Sequence, residues 1–203
     1  GGRLWDVFFF DWEYYHNHLL EIPYIWQGGM AIQGGIIFAC IAAYFYLKKH
    51  QIPVLPFADT VTPGIVLGQA VGRIANFMNG DAFGHPTGQD FGLLYPDTTL
   101  AYHTYGAQPL WPAEVWECQG DLLIFVLLLW YGCKTRAEGT TFCLYIMFYS
   151  LLRFFLENYR GDYGTLALGL KSAQLTSLAA FAGAFILFLY FHFKHKSKSG
   201  ISE

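Results

Sequence analysis

The chain has 203 residues, 54% of them hydrophobic and only 13% charged, with a formal net charge of −3. An ordinary soluble domain carries about 25% charged residues, so the composition argues against a soluble enzyme. Several apolar runs reach about 20 residues, the length that crosses a bilayer. The four cysteines, Cys40, Cys118, Cys133 and Cys143, lie in or at the ends of these runs without metal-ligand spacing. They read as small apolar residues. The expected class is an all-α integral membrane protein, a polytopic helical bundle forming one transmembrane domain over residues 1–203.

Residues 1–10, GGRLWDVFFF, are expected to end a spanning helix whose beginning precedes the chain; no signal peptide is visible. Residues 11–27 are acidic and aromatic, which suits an arm in the head-group layer. The first complete span is placed at 28–47, followed by Lys48, Lys49 and His50 and by a connector with Pro53 and Pro56. The second span is 57–79. Residues 80–110, rich in Gly, Pro and Thr, have no helical period and read as an irregular external head segment with room for short strands. A third span is set at 112–131, with Pro112 near a favourable first-turn position. The turn GCKTRAEG leads to a fourth span at 139–158, and a fifth runs over 173–193 into the basic tail HFKHKSKS. The expectation is therefore five complete spans plus the end of another. Lys48 and Lys49, Lys134 and Arg136, and the Lys194, Lys196, Lys198 tail then share one side, which the positive-inside rule makes cytoplasmic.

Two polar motifs interrupt the apolar runs. GRIANFMNGD closes the second span, with Arg73, Asn76 and Gly80 at helical spacing on one side, Asn79 near them and Asp81 just beyond. A cation at such depth costs ~2.5–3.5 kcal/mol on insertion scales, so it needs a partner or a purpose. YSLLRFFLENYRGD ends the fourth span, with Arg153, Glu157 and Arg160 on one face. Both motifs fall towards the external leaflet and together suit a phosphate, for which the guanidinium fork is well shaped. The plain alternative is an Arg73–Glu157 pair that merely joins two helices. Gln33 is either a helix–helix hydrogen-bond donor or a cavity residue. Glu114 reads as a carboxylate favouring a helix N-terminus; Glu117, one turn deeper, is a candidate to enter the cavity. His85 and His103 read as polar residues of the head segment.

With these residues in view, the chain resembles the prolipoprotein diacylglyceryl transferases. GRIANFMNGDAFG resembles the signature GR(I/L)GNFINGE(x)(W/F)G, IWQGGMAIQGG resembles IWxGGMSxHGG, and YSLLRFFLENYRGD resembles YGxxRFxxExxR. PAEVWE is a weaker match to PSQLYE, and RLWDVFFFDWEYY resembles the stretch before the second motif. The segments agree in order over nearly the whole chain. The resemblance implies a seven-helix fold in a bacterial inner membrane with an external head segment. It implies transfer of the diacylglyceryl group from phosphatidylglycerol to the lipobox cysteine of a prolipoprotein, releasing glycerol 1-phosphate. No metal, organic cofactor or nucleic-acid partner is implied. Carried onto this sequence, Arg73, Asn76, Arg153 and Glu157 are the catalytic candidates. Asn79, Gly80, Asp81, Gly84, Arg160, Gln33 and Glu117 join Arg73 and Asn76 as the phosphatidylglycerol-binding candidates.

The departures matter for the chemistry. Gln33 and Trp111 stand where the family has histidines, Asp81 replaces Glu, Ala75 replaces Gly, Glu114 replaces Gln, Trp116 replaces Tyr and Ser150 replaces Gly. Neither Gln nor Trp can act as a base. That leaves a cation-dominated site, another proton acceptor such as His85, His103 or Asp81, or altered activity. Two rival functions stay open: a phospholipid-binding or transport protein that cleaves nothing, and a transferase of this fold with another lipid or acceptor.

Overall fold

The computed structural model describes residues 1–133, 137–161 and 171–199. The basic-turn residues Lys134 and Arg136 lie outside them, as does Asp162. The chain divides into two compact units, Gly1–Val54 and Leu55–Glu203.

In the first unit, α1 (Gly2–Phe9) and the four-residue α2 (Trp12–Tyr15) precede two single 3-10 turns and the 18-residue α3 (Ile32–Lys49). The helix expected from residue 28 starts at 32 because Gly28 and Gly29 take φ values of 86° and 68°, left-handed conformations that no right-handed helix can contain. Arg3 organises this unit. Its buried guanidinium donates to the carbonyls of Ile22 at 3.0 Å, Gly28 at 2.7 Å, Gly29 at 3.0 Å and Glu21 at 3.1 Å, and stacks on Tyr15. A segment without regular hydrogen bonding thus has its carbonyls satisfied by one side chain. Leu20, Trp26 and Met30 stay exposed on it.

In the second unit the long helices are α4 (Val54–Asn79), α6 (Ala113–Gly132), α7 (Thr140–Leu156) and α8 (Ser172–Ser199). Three described helical stretches are long and apolar enough to cross a membrane: Val54–Asn79, Thr140–Tyr159 and Ser172–Lys196. Lys48 and Lys49 on α3, and Glu114, Glu117 and Asp121 on α6, dilute the apolar character of the other two. A core of Val66, Ile124 and Leu128, with Phe125, Leu144, Phe148 and Leu152 around it, joins α4, α6 and α7.

One buried acid fixes the base of this bundle. Asp59 on α4 accepts from the amides of Gly139 at 2.7 Å and Phe142 at 2.9 Å. It therefore caps the N-terminus of α7 from a neighbouring helix, where the exposed amides and the dipole both favour negative charge. Asp59→Ala is expected to cost about 2 kcal/mol, the upper end for a helix cap, because two buried amides lose their acceptor. A lowered unfolding midpoint in detergent checks this; an unchanged one removes the cap from the account.

The head segment differs from its sequence expectation in two respects. It contains a short helix, α5 (Leu100–Tyr105), started by the Thr99 hydroxyl accepting from the Tyr102 amide at 3.4 Å and stopped by Gly106 at φ 71°. Six residues are too few to show a helical period, but the Thr cap and the Gly stop are the ordinary signals. No strand forms among the described residues. Isolated bridges pair Gly84 with Arg160, Pro86 with Leu110 and Leu93 with Leu110. Phe83, Ala101 and Leu110 form a small core under Tyr95 and Tyr105.

Candidate active site

The site is built around Glu117. Its position on α6, one turn past Glu114, places it inside the second unit with no exposure to solvent. An ionised carboxylate so buried must be paired. Three guanidinium groups meet it: Arg73 Nη2 at 2.8 Å, Arg153 Nη1 at 3.4 Å and Arg160 Nη1 at 3.5 Å. They arrive from α4, from α7 and from the turn that follows α7. One carboxylate thus sets the depth and direction of three cations.

A second acid completes the arrangement. Glu157, also fully buried, receives Arg153 Nη2 at 2.8 Å and faces Lys171 Nζ at 3.9 Å. Lys171 further donates to the carbonyls of Glu157 at 2.8 Å and Arg160 at 2.6 Å. It sits at the start of α8, where its amide donates to the Gln174 side chain at 3.0 Å. The Arg73–Glu157 pair considered from sequence is not formed. Arg73 goes to Glu117, and Glu157 is taken by its own helix neighbour and by Lys171.

The rest of the GRIANFMNGD motif orients Arg73. Arg73 Nη1 donates to Asn76 Oδ1 at 3.1 Å, and Asn76 Nδ2 donates to Asp81 Oδ1 at 2.6 Å. Asn79 is the last residue of α4 and is exposed. Gly80 takes φ 68° and its Cα packs on Thr99, where a Cβ would lie 2.5 Å from the Thr99 Cβ. Gly84 is buried against the backbone of Trp111, too close for any side chain. Gln33 belongs to the first unit and is exposed in the first turn of α3.

Trp111 sits among aromatic neighbours: Tyr159 at 5.3 Å, Trp116 at 5.5 Å, Phe91 at 5.8 Å and His85 at 6.5 Å between ring centroids. His85 Nδ1 lies 2.9 Å from the Pro86 carbonyl, so that nitrogen is the one that donates. His103 is exposed on α5.

Between Arg153 and the small residues of α8 runs a groove of about 320 Å³, lined by Tyr145, Tyr149, Ser150, Ala173 and Ser177 among others. The polar cluster therefore opens sideways between two apolar helices as well as carrying partly exposed cations.

The model of the family described as prolipoprotein diacylglyceryl transferase matches residues 1–190. This chain belongs to the prolipoprotein diacylglyceryl transferase family. Relatives named phosphatidylglycerol–prolipoprotein diacylglyceryl transferase include one from Geobacillus kaustophilus, 37% identical over 171 residues, which covers 83% of this chain and 63% of that relative. One from Staphylococcus saprophyticus is 37% identical over 179 residues, covering 87% and 64%. One from Clostridioides difficile is 37% identical over 195 residues, covering 96% and 73%. The chain spans a little under two thirds of the first two relatives' length.

Within this member of the diacylglyceryl transferase family, three polar residues of the second unit were not singled out from the sequence. Asp121 is fully buried, and neither of its carboxyl oxygens has a hydrogen-bond partner. The spacing 114, 117, 121 is a helical stripe of carboxylates and would have exposed it. Lys171 is the charged residue just ahead of the fifth apolar run, a position that also suits a plain flanking charge. Asp59 carries no local signal, since its partners lie 80 and 83 residues away.

Proposed function

We propose that this chain transfers the diacylglyceryl group of phosphatidylglycerol to the lipobox cysteine of prolipoproteins. The reading is carried by Arg73 and Arg153. Both are fixed by Glu117, yet 21% and 14% of their side chains remain exposed to receive an anion. The phosphodiester of a phospholipid is such an anion. The lipid phosphate seats on the two guanidinium groups, with Arg160 and Glu117 behind them. Asn76 and Asn79 orient the head-group hydroxyls, while Gly80, Asp81 and Gly84 shape the entrance. Gln33 belongs to the binding set proposed from the resemblance.

The cysteine sulfur attacks the terminal glyceryl carbon. The sulfur–carbon bond forms as the carbon–oxygen bond to phosphate breaks, and the electron pair stays on the phosphate oxygen. Glycerol 1-phosphate leaves. Preorganised cations that meet charge as it develops are an effective form of catalysis. Glu157 holds Arg153 in line and Asn76 holds Arg73, so neither must be reoriented during the step. The nucleophile comes from the acceptor.

The same proposal covers the membrane arrangement. The chain acts as a single membrane domain of five complete spans and the end of another, in a bacterial inner membrane. Its C-terminus is cytoplasmic and residues 80–110 form the external head.

The test uses the protein purified in detergent as its host makes it, with phosphatidylglycerol and a lipobox peptide. A mass gain of one diacylglyceryl group on the peptide cysteine, with release of glycerol 1-phosphate, is expected. Lipid binding without either product would favour a non-catalytic phospholipid-binding protein. Transfer from another donor alone would favour a transferase with a different substrate pair.

A further inference from the structure

Glu114 takes no part in the ion pairs, yet it is as deeply buried as Glu117. Both of its carboxyl oxygens are shut off from solvent and meet no hydrogen-bond donor. Its own amide lies near the carboxyl, but outside hydrogen-bond geometry. It stands in the first turn of α6, three residues before Glu117 and on the same face, on the side of the head segment. The charges that reach it from other elements are those of Arg160 after α7, Arg73 on α4 and Asp81 in the head segment.

An ionised carboxylate offers about four acceptor sites, and here all would be empty. Leaving a buried charge without partners is far costlier than leaving a neutral acid so. A neutral acid also does not repel an incoming phosphate, whereas a carboxylate beside Arg73 and Arg160 would compete with it. Asp121 shares the burial and the lack of donors. It lies one turn beyond Glu117, on the side away from the head segment.

Building on the transferase reading, we propose that Glu114 rests as a neutral acid and gives its proton to the phosphate oxygen that departs with glycerol 1-phosphate. As the carbon–oxygen bond breaks, its electron pair collects on that oxygen and the Glu114 O–H proton moves onto it. The thiol proton has passed to water. Glu114 is left as a carboxylate on the face it shares with Glu117, and a proton from water that enters as the product leaves restores it.

Glu114→Gln keeps the shape and cannot give a proton. In the detergent assay with phosphatidylglycerol and a lipobox peptide, its kcat is expected to fall about 100-fold, the lower end for general acid catalysis, with KM for the lipid unchanged. The alkaline limb of the kcat profile, where Glu114 ionises under the fields of Arg73, Arg160, Asp81 and Glu117, is expected to vanish. Glu114→Asp is expected to retain that limb at a shifted position. An infrared band of a protonated carboxyl, present in the parent and reduced in Glu114→Gln, reads the resting state without turnover. A parent-like kcat in Glu114→Gln overturns the proposal, as does the absence of the band. Should the Gln variant not fold, an unshifted limb in Glu114→Asp overturns it. A parent protein that transfers nothing overturns the transferase reading as well, which separates the two failures.

Discussion

Glu117→Ala is expected to abolish transfer and to destabilise the protein by about 3–5 kcal/mol, the loss seen when one partner of a buried ion pair is removed. Glu117 is fully buried and receives Arg73, Arg153 and Arg160. Removing it takes away the one carboxylate that the three guanidinium groups share, while Glu157 stays with Arg153. Arg160 is the worst placed, since it is itself buried at 6% exposure. The cluster must then open or take in water, and the phosphate seat goes with it. Unfolding in detergent and the peptide transfer assay read the two effects separately. A variant that keeps both stability and activity would show that the arginines need no shared anchor.

Arg73→Ala is expected to leave the fold nearly intact and to lower kcat/KM by about 10²–10³-fold, the range for removing one preorganised stabilising group. The contrast with Glu117 follows from position. Arg73 is the most exposed of the three at 21%, and its loss still leaves Glu117 with two cations. Asn76 loses one bond to it and keeps Asp81. Unfolding should therefore shift little while turnover collapses. An unchanged kcat/KM would reduce Arg73 to a helix-to-helix tie.

The arginines were legible in the sequence because lipid chemistry makes an intramembrane cation conspicuous, and their clustering followed from helical spacing within each motif. Which acid Arg73 would meet was not legible, whereas Glu157 as the partner of Arg153 was. Arg153–Glu157 is a local pair at four residues' spacing, whereas the Arg73–Glu117 contact spans 44 residues and depends on how α4 lies against α6. Glu114 read as a residue favouring its helix N-terminus; in the fold it lies fully buried, without a donor on either oxygen. The helix expected from residue 28 begins at residue 32 because Gly28 and Gly29 follow an apolar pattern while taking left-handed conformations. The role of Arg3 was hidden for a related reason: its partners are backbone carbonyls, which every residue has and no sequence motif marks.

The head segment is tied to the end of α7 through main chain as well as through Tyr105, whose hydroxyl donates to the Gly161 carbonyl at 2.9 Å, and Trp111, which packs on Tyr159. His85 donates its amide to the Tyr159 carbonyl at 3.0 Å, Gly161 donates to Phe83 at 3.3 Å, Trp111 donates to His85 at 3.0 Å, and Leu93 and Leu110 exchange amides at 2.8 and 2.9 Å. These bonds are indifferent to side-chain identity. Arg160 can therefore keep its place while the exposed residues of 81–110 drift, and a saturation mutagenesis map of this stretch would be blank at those positions. Its intolerant columns would be the small core of Phe83, Ala101 and Leu110 and, strictest of all, Gly84, whose Cα lies flush with Trp111.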